Sequence, residues 1–235
     1  MKIFRKIRQA FIQKGNLTKY LWYAIGEILL VMIGILLALQ VNTWNENRLK
    51  RNSELTYYSN IKNRIIDDKN LIHHQINYNN RYTAQFNYAN DIIEINDRTK
   101  IDTLGKIAKN LTNYSDFDGR DNIYETMVNS GEIKLLGNYK VIEGIRDLEE
   151  RYLYINRMEN IHYDAMMTYV IPSIYPVVKF STGEVQKPDA LYTFEFQNLI
   201  LSLLRIMDEK DDIYNATVTQ IDMLLTLIDK ELDKP

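Results

Sequence analysis

The chain has 235 residues, 29 Lys and Arg against 31 Asp and Glu, and no cysteine, which excludes disulfides, thiolate catalysis and cysteine zinc sites and leaves any folded part to a hydrophobic core. Six of the basic residues (Lys2, Arg5, Lys6, Arg8, Lys14, Lys19) fall in the first 19 positions, which hold no acid, so the other 23 face all 31 acids and residues 20–235 carry a formal charge of −8. That sign argues against a nucleic-acid partner.

In chain order, MKIFRKIRQAFIQKG sets Ile3, Phe4, Ile7 and Phe11 on one helical face and Arg5, Lys6 and Arg8 on the other. This is the pattern of a helix lying on anionic lipid, with a solvated basic tail as the plainer alternative. Gly15 can end that segment, and Asn16 or Thr18 can cap the next. From Leu21 to Leu39 runs a nineteen-residue apolar stretch broken only by Glu27. At about 1.5 Å per residue it covers about 28 Å, the hydrocarbon thickness of a bilayer, and predicts a transmembrane helix over residues 20–41. Tyr20, Trp22 and Tyr23 at its start and Trp44 past its end are placed as interface anchors.

The six positive charges before the span outnumber Arg48, Lys50 and Arg51 after it. That bias predicts a single-pass protein of the cytoplasmic (inner) membrane, with residues 1–19 in the cytoplasm and residues 42–235 as a periplasmic domain. A cleaved signal peptide is the rival reading, but Ala38 to Val41 lack the small-x-small cleavage pattern. Within the span, Glu27 costs a few kcal/mol on insertion scales and calls for compensation. Gly34 lies one heptad on, and Gly26, Gly34 and Ala38 form a small-residue series at multiples of four that would admit a second helix, either another copy or a partner membrane protein. The plainer reading is a carboxylate hydrated at the headgroups.

Beyond the span, Leu55, Tyr58, Ile61, Ile65, Ile72, Ile76, Tyr82, Phe86, Ala89 and Ile93 follow helical steps and predict one long amphipathic helix, weakened and open to a kink at Asn77, Asn79 and Asn80. Asp102 can cap a helix to about Leu111, and Asp121 another to Asn129 that Gly131 terminates. Asn138 caps a second long helix with Ile142, Ile145, Leu148, Tyr152 and Ile155 inward, ended by Pro172 and Pro176. Ser181 to Pro188 reads as an irregular loop, after which Asp189 can cap a segment beginning at Ala190. Ile200, Leu203, Met207, Tyr214, Val218, Ile221, Leu225, Ile228 and Leu232 keep one register, giving one helix of about forty residues or two stacked ones. The expected fold is all-α: one transmembrane helix followed by an antiparallel bundle of long helices.

Chemical signatures are sparse. Adjacent His73 and His74 diverge by about 100° on a helix and cannot readily share a metal. His162 with Asp164 lacks a third ligand and reads as a hydrogen-bonded core histidine. Asp116, Asp118, Gly119 and Asp121 suggest a calcium loop, yet the twelfth position, where a bidentate Glu is needed, is Met127. Glu143, Asp147 and Glu150 share one side of a helix as a solvated acidic face would. Phosphate loops, G-x-S-x-G and H-E-x-x-H are absent, so no catalytic, metal or cofactor residue is assigned.

The opening FRKIRQ with LTKYLWYAIGEILLVMIGILLALQVNTWNENR, and the centre IYETMVNSGEIKLLGNYKVIEGIRDLEERY, resemble a domain-of-unknown-function family of small single-span proteins common in the Bacteroidota. The resemblance implies a single-pass membrane protein and supplies no catalytic residue. The expectation is a non-enzymatic protein that scaffolds or modulates a membrane complex. An extracytoplasmic ligand sensor signalling through a partner's span is the alternative, and a membrane-tethered hydrolase a third.

Overall fold

The computed structural model describes residues 17–117 and 123–234, with side chains from residue 21 onward. The chain divides into two compact units, residues 1–53 and 54–235. The first helix, α1 (Leu17–Glu94), is assigned without a break. The expected weakness at Asn77, Asn79 and Asn80 therefore does not interrupt it. Asn79 is 1 % exposed and its amide donates to the Met207 carbonyl at 2.9 Å, so a poor helix former is retained by a tertiary bond.

The remaining elements are α2 (Ile101–Asn110), α3 (Ile123–Ser130), α4 (Tyr139–Ala165), α5 (Ile171–Ile174), a hairpin of β1 (Val178–Lys179) and β2 (Glu184–Val185), and α6 (Phe194–Leu232). The class is all-α, as expected, and the C-terminal segment is one helix of 39 residues rather than two. Two caps fall elsewhere than predicted. Asp102 sits inside the first turn of α2, while Asp97 caps the preceding 3-10 turn by accepting from Thr99 N–H at 3.0 Å. Asp189 likewise lies within a 3-10 turn, and Thr193 caps α6 through Phe196 N–H. Asn138 caps α4 as read, accepting from Lys140 N–H at 2.9 Å, and Gly131, at φ +75°, follows α3 in the left-handed conformation that ends a helix. The Asp121 cap lies outside the described residues, as does the basic segment before Asn16.

Pro172 does not end the α4 run. A π-helical turn, Met166–Val170, follows Ala165, and Pro172 falls near the start of α5, where its missing N–H is tolerated. The loop expected after it is instead a tight hairpin with Val178 opposite Val185. It rests on α2 at Gly105, where a Cβ would strike Val185 Cγ2 and stand 2.6 Å from the Gly183 carbonyl oxygen.

Within residues 54–235 three long helical stretches carry the core. Lys62 with Asp229, Lys69 with Asp222 and Asn79 with Met207 set α1 antiparallel to α6. Arg151 with Gln220 and Tyr214 with Glu159 set α4 antiparallel to α6 as well. Tyr58 with Asn138 and Asp68 with Tyr152 then make α1 and α4 parallel. One apolar cluster joins Phe86, Leu104, Val170, Ile200 and Leu203, and a second joins Tyr58, Ile65, Ile145, Tyr214 and Ile221.

Candidate functional site

Along α1, the aliphatic side chains from Ile25 to Val41 are 42–69 % exposed, and Trp22 and Trp44 are exposed beside them. This helix is long and apolar enough to cross a membrane. Glu27 is exposed on it, and a Cβ added at Gly26 or Gly34 would meet nothing within 4 Å. At 3.6 residues per turn, Glu27, Gly34 and Ala38 fall within an arc of about 40°, whereas Gly26 points about 100° away from Glu27. The small-residue series is therefore one face only for Gly34 and Ala38, which share it with the carboxylate. Tyr23 is half-buried, and the Tyr20 side chain lies outside those described.

The most elaborate polar site lies in the second unit, under residues 113–117. Each residue of this short strap is engaged by one of the three long helices. From α1, the Tyr78 hydroxyl donates to Asn113 Oδ1 at 3.3 Å, and Gln75 Oε1 accepts from Asp116 N–H at 3.2 Å. On α4, the Tyr114 ring lies 5.8 Å from the His162 ring, Glu159 Oε1 accepts from Phe117 N–H at 2.7 Å, and the Phe117 ring packs on Tyr152. From α6, Lys210 Nζ donates to the Ser115 carbonyl at 2.6 Å, and the Tyr214 and Ser115 hydroxyls are 3.2 Å apart. Tyr214 also donates to Glu159 Oε1. Extended backbone crossing a bundle exposes polar groups that must find partners, and these buried side chains supply them.

Lys210, Glu159, His162 and Tyr214 are each at most 4 % exposed. Burial lowers the Lys210 pKa to about 8, with Glu159, Asp116 and Asp211 acting in the opposite direction. Burial, then the Lys210 charge, lowers His162 to about 3, so its ring is neutral, with Nδ1 3.5 Å from Lys210 Nζ and Nε2 without a hydrogen-bond partner among the described residues. Burial raises Glu159 above the ordinary carboxylate range and holds the Tyr214 phenol protonated. The space beside Lys210 and Tyr214 admits no water-sized molecule. The arrangement holds charge and fixes a strap.

Nearly three turns before Glu159 on α4, Glu149 accepts from Tyr124 N–H at 2.9 Å, placing a carboxylate at the N-terminal end of α3. Thus the two buried acids of α4, Glu149 and Glu159, hold the two sides of the segment from Ser115 to Ser130. Sequence reading passed over Glu149, Glu159 and Lys210. The available signal was register: Lys210 falls among Leu203, Met207 and Tyr214 at core spacing, where a charge is out of place.

The other sequence candidates are dispersed. His73 and His74 are exposed, and His162 is a core histidine while Asp164 is exposed. Asp116 is exposed, Met127 is buried, and Asp118, Gly119 and Asp121 lie outside the described residues. Glu143 and Glu150 are exposed, with Asp147 half-buried and 3.2 Å from Arg146. Among the described residues no group of three His, Asp or Glu could hold a metal.

Neither the curated proteins nor the solved structures yielded a match. Residues 27–229, which include most of the apolar stretch and nearly all of the bundle, match the Family of unknown function (DUF6090), and the chain belongs to that family.

Proposed function

We propose that this is a single-pass protein of the cytoplasmic membrane, anchored by residues 20–41 with its N-terminus inside, whose helical domain scaffolds or modulates a membrane complex without catalysing a reaction. The observation that carries the reading is the run of exposed aliphatic side chains from Ile25 to Val41, flanked by exposed Trp22 and Trp44. The two tryptophans are separated by about 33 Å along a helix, the spacing of the two bilayer interfaces. The six-to-three excess of basic residues before the span supports the orientation. Occlusion of the Lys210 cluster supports a structural use of its charges. Lipid is the first partner, and the face shared by Glu27, Gly34 and Ala38 is the contact for a second span.

The single substitutions Ser181→Cys and Lys2→Cys test the orientation in spheroplasts treated with an impermeant thiol reagent. The Ser181→Cys chain should label in intact spheroplasts, and the Lys2→Cys chain only after lysis. The reverse pattern would overturn the topology and with it the periplasmic placement of the domain.

A further inference from the structure

At the end of the bundle where residue 54 enters it, the acids are turned onto the protein's own donors. Gly131 leads from α3 into a 3-10 turn, Glu132–Leu135, and the chain from there to Asn138 is tied to α1 and α6. On α1, Glu54 Oε1 accepts from Gly137 N–H at 2.8 Å, the Tyr57 hydroxyl donates to Glu132, and the Tyr58 hydroxyl oxygen accepts from Asn138 N–H at 3.2 Å. On α6, Glu231 Oε1 accepts from the Asn138 amide at 2.5 Å and from Lys234 Nζ at 2.6 Å. Asp229 pairs with Lys62, and Glu143 lies 3.9 Å from Arg146. What remains facing outward has the other sign. Lys134, Lys140 and Lys230 are exposed and form no ion pair among the described residues, against Asp233 as the carboxylate left over. Next to them in the chain, Leu135 is 39 % and Tyr139 68 % exposed. Residues 20–235 carry a formal charge of −8, so this end reverses the sign of its surroundings.

We infer that this end of the domain rests on the anionic lipid headgroups of the membrane that holds the anchor, with Leu135 and Tyr139 entering the interface and Lys134, Lys140 and Lys230 meeting phosphate. The tether selects the occupant. Glu54 follows Trp44 by ten residues, so even a fully extended connection keeps this end within about 35 Å of the interface where Trp44 sits. The residues between carry Arg48, Lys50 and Arg51 against Glu46, which adds to the same attraction. Held that close, the bilayer is met at high effective concentration, and a tyrosine and a leucine flanked by lysines suit its headgroup layer. An acidic protein would also satisfy the lysines, but it would have to be recruited, whereas the lipid surface is within reach of every anchored copy. The inference rests on the anchor reading of residues 20–41.

Because the chain has no cysteine, one introduced thiol carries one probe. Full-length Leu135→Cys, labelled with a nitrobenzoxadiazole dye, is reconstituted in nanodiscs of phosphatidylcholine with or without phosphatidylglycerol, each containing lipid that bears a nitroxide on its headgroup. With phosphatidylglycerol present the nitroxide should quench the dye. The same dye at Tyr175→Cys, about 50 Å away along the run from α4 to α5, should stay unquenched. Lys134→Gln, Lys140→Gln and Lys230→Gln together, at exposed positions that leave the circular dichroism unchanged, should lower the docked-to-free ratio by about tenfold or more, since a lysine at an anionic surface contributes roughly fivefold. No quenching at position 135, equal quenching at 175, or quenching indifferent to phosphatidylglycerol or to the three substitutions overturns the inference. A dye at Val31→Cys, read with a nitroxide on the acyl chain, tests the anchor separately. Quenching there without quenching at 135 removes the docking alone, and its absence at both removes the anchor reading and the docking with it.

Discussion

Lys210→Met isolates the energetic signature of the buried cluster. In the folded chain the ammonium loses its proton near pH 8, against 10.5 for an ordinary lysine, because burial outweighs the attraction of Glu159, Asp116 and Asp211. Between those values the unfolded chain binds one proton more than the folded chain, so stability must rise with pH across this window. At about 1.4 kcal/mol per unit the full gain is about 3 kcal/mol. Tyr214, whose phenol stays protonated in the fold, opposes this only above pH 10, where the unfolded phenol ionises. Urea unfolding of the parent and Lys210→Met chains in detergent micelles, followed by circular dichroism at pH 7, 8, 9 and 10, therefore measures the term directly. Titrations that Lys210 does not touch cancel in the difference, while Glu159, His162 and Asp211, whose pKa values its charge lowers, move upward in the variant. The parent should gain about 2–3 kcal/mol on the variant between pH 7 and pH 10, a midpoint separation of about 1 M for a domain of this size. Parallel curves, or a parent that loses ground as pH rises, would refute the account, since a lysine held by net attraction has the opposite sign.

Two further outcomes follow from the packing. Gly105→Ala places a methyl against backbone at Gly183 and should cost about 1–3 kcal/mol, seen as a lower melting temperature and faster amide exchange at residues 178–185; unchanged exchange there would show that the hairpin does not rest on α2. In a membrane two-hybrid assay of the isolated span, Gly34→Leu should weaken association and Glu27→Leu should abolish any polar contact while sparing insertion. If both behave as the parent does, the span only anchors.

The helical period, the Asn138 cap and the Gly131 stop were legible because each is written in adjacent residues. So was the inward face of α4, including His162. The misplaced caps arose where several capping residues stand within a few positions, as with Asp97 and Asp102 or Asp189 and Thr193. Local preference does not choose between them, and the hairpin on α2 and the 3-10 turns do. The continuity of α1 through Asn79 depends on a carbonyl 128 positions away. The strap cluster joins Ser115, Glu159 and Lys210, whose proximity follows only from the parallel run of α1 and α4 and the opposite run of α6. For the span, composition exposed the face of Glu27 and Gly34, and the rotation per residue removes Gly26 from it.

The direction of the helices also bears on how the chain comes to be folded. Helix α6 is made after α1 and α4, yet it contributes Phe196, Ile200, Leu203 and Met207 to one apolar cluster and Tyr214, Ile221, Leu224 and Ile228 to the other. Until those residues leave the ribosome, the inward faces of α1 and α4 have no antiparallel partner, and the strap has neither Lys210 nor Tyr214 to hold it. Before α6 emerges, the nascent domain therefore exposes apolar surface that α6 later covers. A ribosome that stalls before Phe194 leaves both clusters without their α6 members, and such products are natural substrates for chaperones and proteases.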